Sequence, residues 1–314
     1  NGSLVITHGK IESFVAGTEG IEIDTNAMYR AVAAQWPATT TFPLIVRKTY
    51  GTLLGEAPAE LGIREMIGVG RSNFSGSPEN RRKNIAHGVS LVNGTIIKPG
   101  ETFSLLKTLG PIDGEHKWLP ELVIKGNVTK PEFGGGLCQI GTTTFRSALA
   151  SGLPIVERQN HSYRVRYYEP AGTDATIYES KPDFRFMNDT GAHILINAYT
   201  SRDRVVFEFW GTNDGRRIEQ TQSHIYNIVP PPPMKLVETL ELAPGKKKCT
   251  EIAHAGADAS FVYTVTSPTG EVKKETFRSH YRPWQAVCLV GVEKLSVPLE
   301  SASSTLSGES AVGN

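Results

Sequence analysis

Apolar and small residues recur at helical spacing between Phe133 and Leu153, in the segment FGGGLCQIGTTTFRSALASGL. The recurring positions are Ile140, Thr144, Phe145, Ala148 and Leu149. Three glycines precede this run, and Gly152 and Pro154 follow it, as is usual where a helix ends. The pattern predicts a buried helix that starts directly after a glycine turn.

A strand-like alternation follows this helix. Residues around Val165 alternate between apolar and polar, and Ala171-Gly172 indicates a turn before a second strand that opens at Asp174. His161 then starts one predicted strand and Asp174 the next. Because the paired ends of a hairpin are neighbours, we expect these two side chains to lie side by side.

Other periodic segments complete the predicted central domain. Residues 194–198 and 205–209 alternate with period two and are predicted to be antiparallel strands that close the domain. Residues 77–79 (Ser-Pro-Glu) predict a helix start, with serine as the cap and proline in the first position. Asp24 is predicted to cap a shorter helix over residues 26–36.

Four consecutive prolines, residues 230–233, favour a stiff extended segment and a domain boundary. Beyond them, strand-like segments separated by glycine turns predict a small all-β module. The predicted fold class is α+β, and in the central domain the Cys-bearing helix packs on an antiparallel sheet. The predicted divisions are an N-terminal extension over 1–60, the central domain over 61–228, a proline linker over 229–234, the all-β module over 235–295 and a disordered Ser/Gly-rich tail over 296–314.

Composition narrows the range of functions. The chain has 314 residues, with 33 Lys and Arg against 32 Asp and Glu, and this balance does not indicate a nucleic-acid partner. No apolar run approaches the roughly 20 residues that span a bilayer, and we recognise no signal peptide. The histidines show no metal-ligand spacing, so we expect no metal and no cofactor.

Cys138 is the strongest chemical candidate because it falls at the predicted helix start. A thiol there lies among unpaired backbone N–H groups and at the positive end of the helix dipole, which favours the nucleophilic thiolate. Gly135 and Gly136 present no side chain that would block a substrate backbone. The alternative is that Cys138 is a small buried residue that packs the helix start.

His161 and Asp174 are the predicted partners of this thiol. A histidine can deprotonate a thiol and later protonate a leaving amine, and a carboxylate can fix the tautomer and orientation of that histidine. Each residue also has a plainer interpretation. His161 is then a hydrogen-bonded structural residue, and Asp174 a turn cap.

Six blocks of the sequence, between about Glu65 and Gly215, resemble the VanW domain family in content and order. They are RSNFSGSPENRRKNI (71–85), IIKPGETFSL (96–105), LGPIDG (109–114), GGGLCQIGTTTFRSAL (134–149), ERQNHSYRVRYYEPAGTDATIY (157–178) and DFRFMNDTG (183–191). Some secreted family members are peptidoglycan L,D-transpeptidases that use the cysteine of this motif. The resemblance implies that Cys138 is the nucleophile, and we extend it to His161 and Asp174 as our own inference.

The resemblance implies peptidoglycan stem peptides as the substrate and an extracellular location, in the wall or anchored to the membrane through a segment upstream of the first residue. Backbone N–H groups at the helix start, next to Gly135 and Gly136, are expected to hold the oxyanion, with Gln139 as a further donor. Arg158 and Tyr163, which flank His161, are the candidates for holding the stem peptide. Water as the acceptor makes the same chemistry a carboxypeptidase reaction.

The resemblance extends to the regions on either side of the central domain. Residues 1–60 resemble the end of a peptidoglycan-binding repeat, with a plain N-terminal extension as the alternative. The all-β module resembles a G5 domain, which implies binding of wall polysaccharide, with a structural spacer as the alternative. Cys249 and Cys288 lie on the first and last strands of this module, where they either form a disulfide or stay reduced.

Two other functions remain open from the sequence. One is a non-catalytic peptidoglycan-binding or glycopeptide-resistance accessory protein, and the other is a thiol hydrolase of another amide. Three consecutive basic residues, Arg81, Arg82 and Lys83, form either a solvated helix face or, in one of them, a contact with stem-peptide carboxylates. Trp118 is either a wall of the substrate groove or a packed loop residue.

Overall fold

A computed structural model describes residues 3–7, 10–15, 20–36, 38–39, 41–49, 61–125 and 128–296. Strands predominate over helices in these ranges, in agreement with the coarse α+β prediction. The predicted disordered tail lies outside the described residues except for its first position. No helix among the described residues is long and apolar enough to cross a membrane.

The helices are α1 (Thr25–Gln35), α2 (Glu79–Val92), α3 (Leu105–Leu109) and α4 (Leu137–Ala150), and a 3-10 turn covers Arg166–Tyr168. The strands are β1 (Ser3–Thr7), β2 (Lys10–Val15), β3 (Gly20–Ile23), β4 (Val46–Thr49), β5 (Glu65–Asn73), β6 (Thr95–Ile97), β7 (Thr102–Ser104), β8 (Pro120–Lys125), β9 (Val128–Phe133), β10 (Ile155–Glu157), β11 (Arg185–Met187), β12 (Ile194–Ser201), β13 (Arg204–Gly211), β14 (Arg217–Gln220), β15 (His224–Val229), β16 (Lys235–Thr239), β17 (Lys247–Glu251), β18 (Gly256–Thr266), β19 (Val272–Tyr281) and β20 (Val287–Gly291).

Helix α4 packs on a four-stranded antiparallel sheet with the order β5-β13-β12-β6. The predicted strands 194–198 and 205–209 are the paired strands β12 and β13 of this sheet. Small residues on β5 allow the close approach of the helix, because a Cβ at Gly70 would lie 2.3 Å from the Thr143 carbonyl oxygen. The hydroxyl groups of Ser72 and Thr143 are 2.6 Å apart and join the two elements. This packing fixes the position of the helix start that carries Cys138.

Helices α1 and α2 begin in different ways. Asp24 caps α1 as predicted, and its carboxylate accepts a hydrogen bond from the Ala27 backbone N–H at 2.8 Å. In α2 the cap position is taken by Pro78 and no side chain caps the helix, which differs from the predicted serine cap. The Ser77 hydroxyl instead accepts a hydrogen bond of 2.6 Å from Arg81, one turn into the helix.

The chain divides into two compact units and passes from the first to the second at Pro230–Pro231, within the predicted linker, but a later segment returns to the first unit. One unit combines Asn1–Pro230 with Ala255–Pro283, and the other combines Pro231–His254 with Trp284–Asn314. The β18–β19 hairpin belongs to the first unit because Phe261, Tyr263 and Phe277 enter the core around α4. The predicted all-β module of residues 235–295 is therefore split between the two units.

The second unit contains a three-stranded sheet in which β20 lies between β16 and β17. Strand β16 runs parallel to β20, and β17 runs antiparallel to it. Cys249 on β17 is paired in register with Cys288 on β20, and the two form a disulfide with an S–S distance of 2.08 Å. Of the two alternatives that the sequence left open for these cysteines, the structure contains the disulfide.

Candidate active site

Cys138 is the second residue of α4, directly after the glycine turn. Gly136 occupies the cap position with φ +112°, a conformation that favours glycine. The N–H groups of Leu137 and Gln139 donate to the carbonyl oxygens of Gly134 and Gly136, at 3.0 and 2.9 Å. The backbone N–H of Cys138 has no acceptor among the described residues, so it remains available to a ligand.

The glycines before Cys138 are required by packing as well as by conformation. A Cβ at Gly135 would lie 2.6 Å from the Glu121 Cβ, so β8 closes over this position. A Cβ at Gly136 would lie 3.1 Å from side-chain carbons of both Arg81 and Ile85 on α2. These contacts give the glycines a role in joining β8 and α2 to the helix start, whereas the sequence suggested an opening for substrate.

His161 and Asp174 lie side by side, as predicted, but neither starts a strand. Both belong to irregular extended segments, and Asp174 Oδ2 accepts from the His161 backbone N–H at 2.8 Å and from its Nδ1 at 2.6 Å. The segment after Asp174 is fixed on α4 by the Thr142 hydroxyl. That hydroxyl donates to the Ala175 carbonyl at 3.2 Å and accepts from the Ala175 N–H at 3.1 Å.

The Cys138 thiol contacts the same segment and the His161 ring. Its Sγ lies 3.3 Å from the Thr176 hydroxyl and 3.6 Å from the Ile177 carbonyl oxygen. Burial alone would raise the pKa of the thiol, but interaction with His161 and the Thr176 hydroxyl lowers that pKa from 9.0 to about 7. Near neutral pH, a large fraction of the Cys138 side chains is therefore in the thiolate form.

The His161 ring responds in the opposite sense. Burial would lower its pKa, but the charge of Cys138 and the hydrogen bond to Asp174 raise it to about 9. Its Nε2 atom is buried and makes no hydrogen bond of regular geometry among the described residues. Because Asp174 holds Nδ1, Nε2 is the nitrogen left for proton transfer. Hydrogen bonds between a catalytic base and its nucleophile are often long before a ligand binds. The arrangement favours a thiolate–imidazolium pair.

Asp174 is held from three sides within the protein interior. The Tyr281 hydroxyl donates to Oδ1 at 2.5 Å, and Arg158 Nη2 lies 3.2 Å from the same oxygen. The Tyr281 oxygen also accepts from the Gly172 N–H at 2.7 Å. Although burial raises the pKa of the Asp174 carboxyl, its partners, led by His161 and including Arg158, hold that pKa well below the usual range. Asp174 is therefore ionised and fixed in orientation.

Arg158 has a different role from the substrate contact that was predicted. Its side chain is only 5% exposed, and its nitrogens donate to Asp174, to the Gly172 carbonyl and to Ser279. It also lies over the Phe145 ring, 5.2 Å from the centroid. Because the guanidinium donates its hydrogen bonds to acceptors within the protein, it is not available to a substrate. Arg158 instead holds Asp174 in position.

Gln139 likewise faces inward. Its side chain is fully buried, its Oε1 accepts from Arg81 at 2.9 Å, and its Nε2 donates to the Asn73 carbonyl at 3.2 Å. Since its backbone N–H bonds Gly136, Gln139 does not supply the predicted further oxyanion donor. Trp118 is 1% exposed and its Nε1 donates to the Pro111 carbonyl, so it is a packed residue.

A cavity of about 940 Å³ opens over Cys138. Cys138, His161 and Tyr163 line it, together with Gly136 and Arg81, whereas Gly135, Gln139 and Arg158 lie behind its wall. Glutamate and tyrosine side chains from β8, β9 and the segment after Asp174 are also part of the lining: Glu121, Glu132, Tyr178 and Glu179. The volume falls within the range of small-molecule and peptide pockets.

Sequence reasoning missed Tyr168 and Tyr281. The Tyr168 ring stacks on the His161 ring, with centroids 4.7 Å apart, and Arg146 donates to the Tyr168 carbonyl at 2.6 Å. Tyr281 lies 107 residues after Asp174 in the chain. No local pattern indicates either contact, although both residues are aromatic and nearly fully buried. Among the described residues, no group of three or more histidine, cysteine or acidic side chains is placed to hold a metal ion.

Comparison with known proteins finds a family match for the central part of the chain. The family model described as "VanW like protein" matches residues 80–210. The uncharacterized protein YoaR of Bacillus subtilis (strain 168) is 30% identical over 173 residues, 49% of this chain and 56% of that protein. Vancomycin B-type resistance protein VanW of Enterococcus faecalis (strain ATCC 700802 / V583) is 29% identical over 145 residues, 45% of this chain and 48% of that protein. The chain thus spans about half the length of the curated relatives it matches.

A solved G5 domain of an IgA1 protease is also similar, with 16% identity and coverage of 27% of this chain and all of that structure. Its TM-score of 0.17 is too low to support an assignment, so the G5 resemblance of the all-β region stays a prediction. The VanW resemblance is confirmed for the central segment. Residues 80–210, which include Cys138, His161 and Asp174, are similar to the VanW-like family model.

Proposed function

We propose that this protein is a cysteine-dependent acyltransferase that forms peptidoglycan cross-links as an L,D-transpeptidase, with Cys138 as the nucleophile. The observation that carries the proposal is the Cys138–His161–Asp174 arrangement at the wall of a cavity. A thiol with a lowered pKa faces an imidazole whose other nitrogen is held by a buried carboxylate. This is the combination that activates a cysteine for attack on a carbonyl carbon.

The first half of the proposed reaction forms a thioester. The Cys138 thiolate attacks the carbonyl carbon that follows an L-centre in a donor stem peptide, and the oxyanion accepts a hydrogen bond from the Cys138 backbone N–H. The C–N bond then breaks. The terminal D-residue leaves as an amine after it takes the proton from His161 Nε2, so His161 becomes neutral.

The second half transfers the acyl group. Neutral His161 accepts a proton from an acceptor amine as its nitrogen attacks the thioester carbonyl, and the C–S bond breaks to restore the thiolate and the imidazolium. Water in place of the amine gives trimming of the stem peptide, the carboxypeptidase reaction. Asp174 keeps Nδ1 protonated throughout, because its Oδ2 accepts from that nitrogen.

The cell wall as the site of action is supported by the family and by the cavity. The Enterococcus relative is named for vancomycin resistance, and vancomycin resistance concerns the cell wall. A cavity of about 940 Å³ has room for several residues of a peptide. We propose an extracellular protein whose partners are stem peptides, with wall polysaccharide as a further partner of its C-terminal region.

Purified muropeptides test the proposal. Wild-type protein is incubated with monomeric tetrapeptide muropeptides, and the products are separated by chromatography and identified by mass. We expect cross-linked dimers, or trimmed tripeptides when acceptor amines are scarce. The variant Cys138→Ala should make neither product, because no thioester can form.

The matched control is Ser72→Ala, which alters a buried contact between β5 and α4 away from the cavity lining. This variant should still make both products, although its free energy of unfolding should be lower than that of the wild type. Dimers made by the Cys138→Ala variant would refute the mechanism. The wild type is tested at a pH where its thiol alkylates rapidly. If it makes no dimers with any donor there, a non-catalytic wall-binding protein is favoured.

A further inference from the structure

Three consecutive basic residues on α2 differ in their surroundings. Arg82 pairs with Asp203 at 2.6 Å, and Lys83 pairs with Glu79 at 2.6 Å. Arg81 has no carboxylate partner in the part of the chain that the structure describes, and it lines the cavity that holds Cys138. A half-buried guanidinium without a counter-charge at the wall of a cavity is a potential site for an anion.

The orientation of Arg81 is fixed by neutral acceptors. Nη1 donates to the Ser77 hydroxyl at 2.6 Å, and Nη2 donates to Gln139 Oε1 at 2.9 Å and to the Tyr168 hydroxyl at 3.3 Å. Its plane lies over the Tyr167 ring, 5.0 Å from the centroid. A guanidinium has five N–H donors, and these three contacts leave two of them without an acceptor among the described residues.

Tyr168 adds a donor at the same place. Its hydroxyl accepts from Arg81, and its own proton has no acceptor among the described residues. Burial raises the pKa of Tyr168, so the hydroxyl stays protonated and able to donate at physiological pH. The Tyr168 ring stacks on His161, which places this pair of donors on the His161 side of the thiol.

We infer that Arg81 and Tyr168 form a carboxylate-binding subsite next to Cys138. The identity of the ligand rests on the proposed function: it is the free C-terminal carboxylate of the donor peptide. The leaving amine must lie against His161 Nε2 to receive its proton, and the carboxylate of a terminal residue is separated from that amine by a single carbon. The subsite therefore selects peptides that end one residue after the attacked carbonyl.

Two alkylating reagents test the subsite without any assumption about the reaction. Iodoacetate carries a carboxylate and iodoacetamide a neutral amide, and both label thiolates. The sequence has three cysteines, and Cys249 and Cys288 are joined in a disulfide, so Cys138 is the thiol that reacts. The measurement is the ratio of the two second-order rate constants at one pH, for the wild type and for Arg81→Gln.

We expect the ratio of iodoacetate to iodoacetamide rates to fall about tenfold in Arg81→Gln, because charge-assisted hydrogen bonds to the carboxylate are lost. Arg82→Gln is the matched control, since it removes the same charge from the adjacent position of the same helix and pairs outside the cavity. A fall in Arg81→Gln that exceeds the fall in the control supports the subsite. A fall that is no larger overturns it.

Peptide donors then separate the subsite from the proposed reaction. With wild-type protein, a donor with a free terminal carboxylate should be used about tenfold faster, as kcat/KM, than the same donor with a terminal amide. Arg81→Gln should lose this preference, so that the two donors react with similar kcat/KM. If the alkylation ratio behaves as expected and neither donor reacts, the anion subsite stands and the proposed transpeptidase function fails.

Discussion

At the residue scale, the reactivity of Cys138 depends on the balance between burial and charge. Burial raises the pKa of the thiol, and His161 more than offsets that effect, which leaves the pKa at about 7. The same interaction raises the pKa of His161 to about 9. Between about pH 7 and pH 9, Cys138 is therefore a thiolate and His161 an imidazolium.

The first prediction concerns the pH dependence of Cys138. Thiolate forms as the pH rises through about 7, so the rate of alkylation by iodoacetamide should reach half its maximum near that pH. In His161→Ala, burial remains and the imidazolium is lost, so the thiol pKa should rise to 9 or above. The alkylation rate at pH 7 should then fall about tenfold or more. Rates are measured by intact-protein mass over the range pH 5 to 10.

The rate of cross-linking should depend on pH in a bell-shaped profile, with limbs near pH 7 and pH 9. The rising limb reports formation of the Cys138 thiolate, and the falling limb reports loss of the His161 proton that the leaving amine needs. A wild-type alkylation midpoint at the ordinary cysteine value, unchanged in His161→Ala, would show that the imidazole does not activate the thiol.

The residues that sequence reasoning identified share a local signal. Cys138 follows a glycine turn at a helix start, and His161 and Asp174 come from the same family block. The proximity of Arg158 to His161 in the chain suggests that it contacts the stem peptide. The structure places it behind Asp174, where Ser279 supplies one of its acceptors. A contact with a residue 121 positions away leaves no trace in local spacing.

At the scale of elements, helix α4 was predictable and the segments beside it were not. The periodicity of residues 140–149 and the flanking glycines mark a helix in any setting. The alternation near Val165 suggested strands, but Arg146 donates to the carbonyls of Tyr168, Glu169 and Thr173. Because a side chain satisfies these backbone groups, the segment needs no strand partner.

The second prediction concerns the glycine turn before α4. Gly136→Ala combines a φ of +112° with contacts of 3.1 Å to side chains of α2, one of them Arg81. It should lower the free energy of unfolding by about 1–3 kcal/mol. It should also displace Arg81 and lower the iodoacetate to iodoacetamide ratio at Cys138. Chemical denaturation and the alkylation ratio are the measurements.

Gly100→Ala serves as the control for backbone strain. Gly100 has φ +77°, and a Cβ there would meet nothing within 4 Å. Gly100→Ala should lower the free energy of unfolding and leave the ratio of iodoacetate to iodoacetamide rates at Cys138 unchanged. If the two variants lose the same stability and both keep the ratio, the close packing of Gly136 against α2 has no energetic consequence.

At the scale of the whole molecule, the first compact unit is discontinuous in sequence. The prolines at 230–233 looked like a boundary between two consecutive domains, yet the β18–β19 hairpin returns to the first unit. Phe261 and Phe277 enter the core around α4, and Tyr263 donates to the Leu149 carbonyl at 2.7 Å. Composition could mark the proline segment, but it could not show that the chain returns to the first unit afterwards.

The third prediction tests that organisation by truncation. A chain that ends at Pro230 lacks Phe261, Tyr263 and Phe277, and burial of each such side chain contributes about 1.5–3 kcal/mol. The sum is comparable with the total stability of a domain, so the truncated chain should lose its cooperative thermal transition. A chain that ends at Ser296 should keep it. Circular dichroism melts compare the two.

The truncation also removes Tyr281, which donates to Asp174. Alkylation of Cys138 in the chain that ends at Pro230 should therefore lose its midpoint near pH 7. A truncated chain that melts cooperatively and keeps the wild-type alkylation profile would show that the hairpin supports neither the core nor Asp174.

The central claim, that Cys138 carries an acyl group, is tested most directly by the intact mass of the protein during reaction with a tetrapeptide donor at about pH 8. At this pH, which lies between the two pKa values, the account predicts a mass increase equal to the mass of the donor minus the mass of the free terminal amino acid that leaves. Hydroxylamine should release the adduct, and Cys138→Ala should not form it. Cross-linked product without any adduct on the wild type, or the same adduct on Cys138→Ala, would contradict the account.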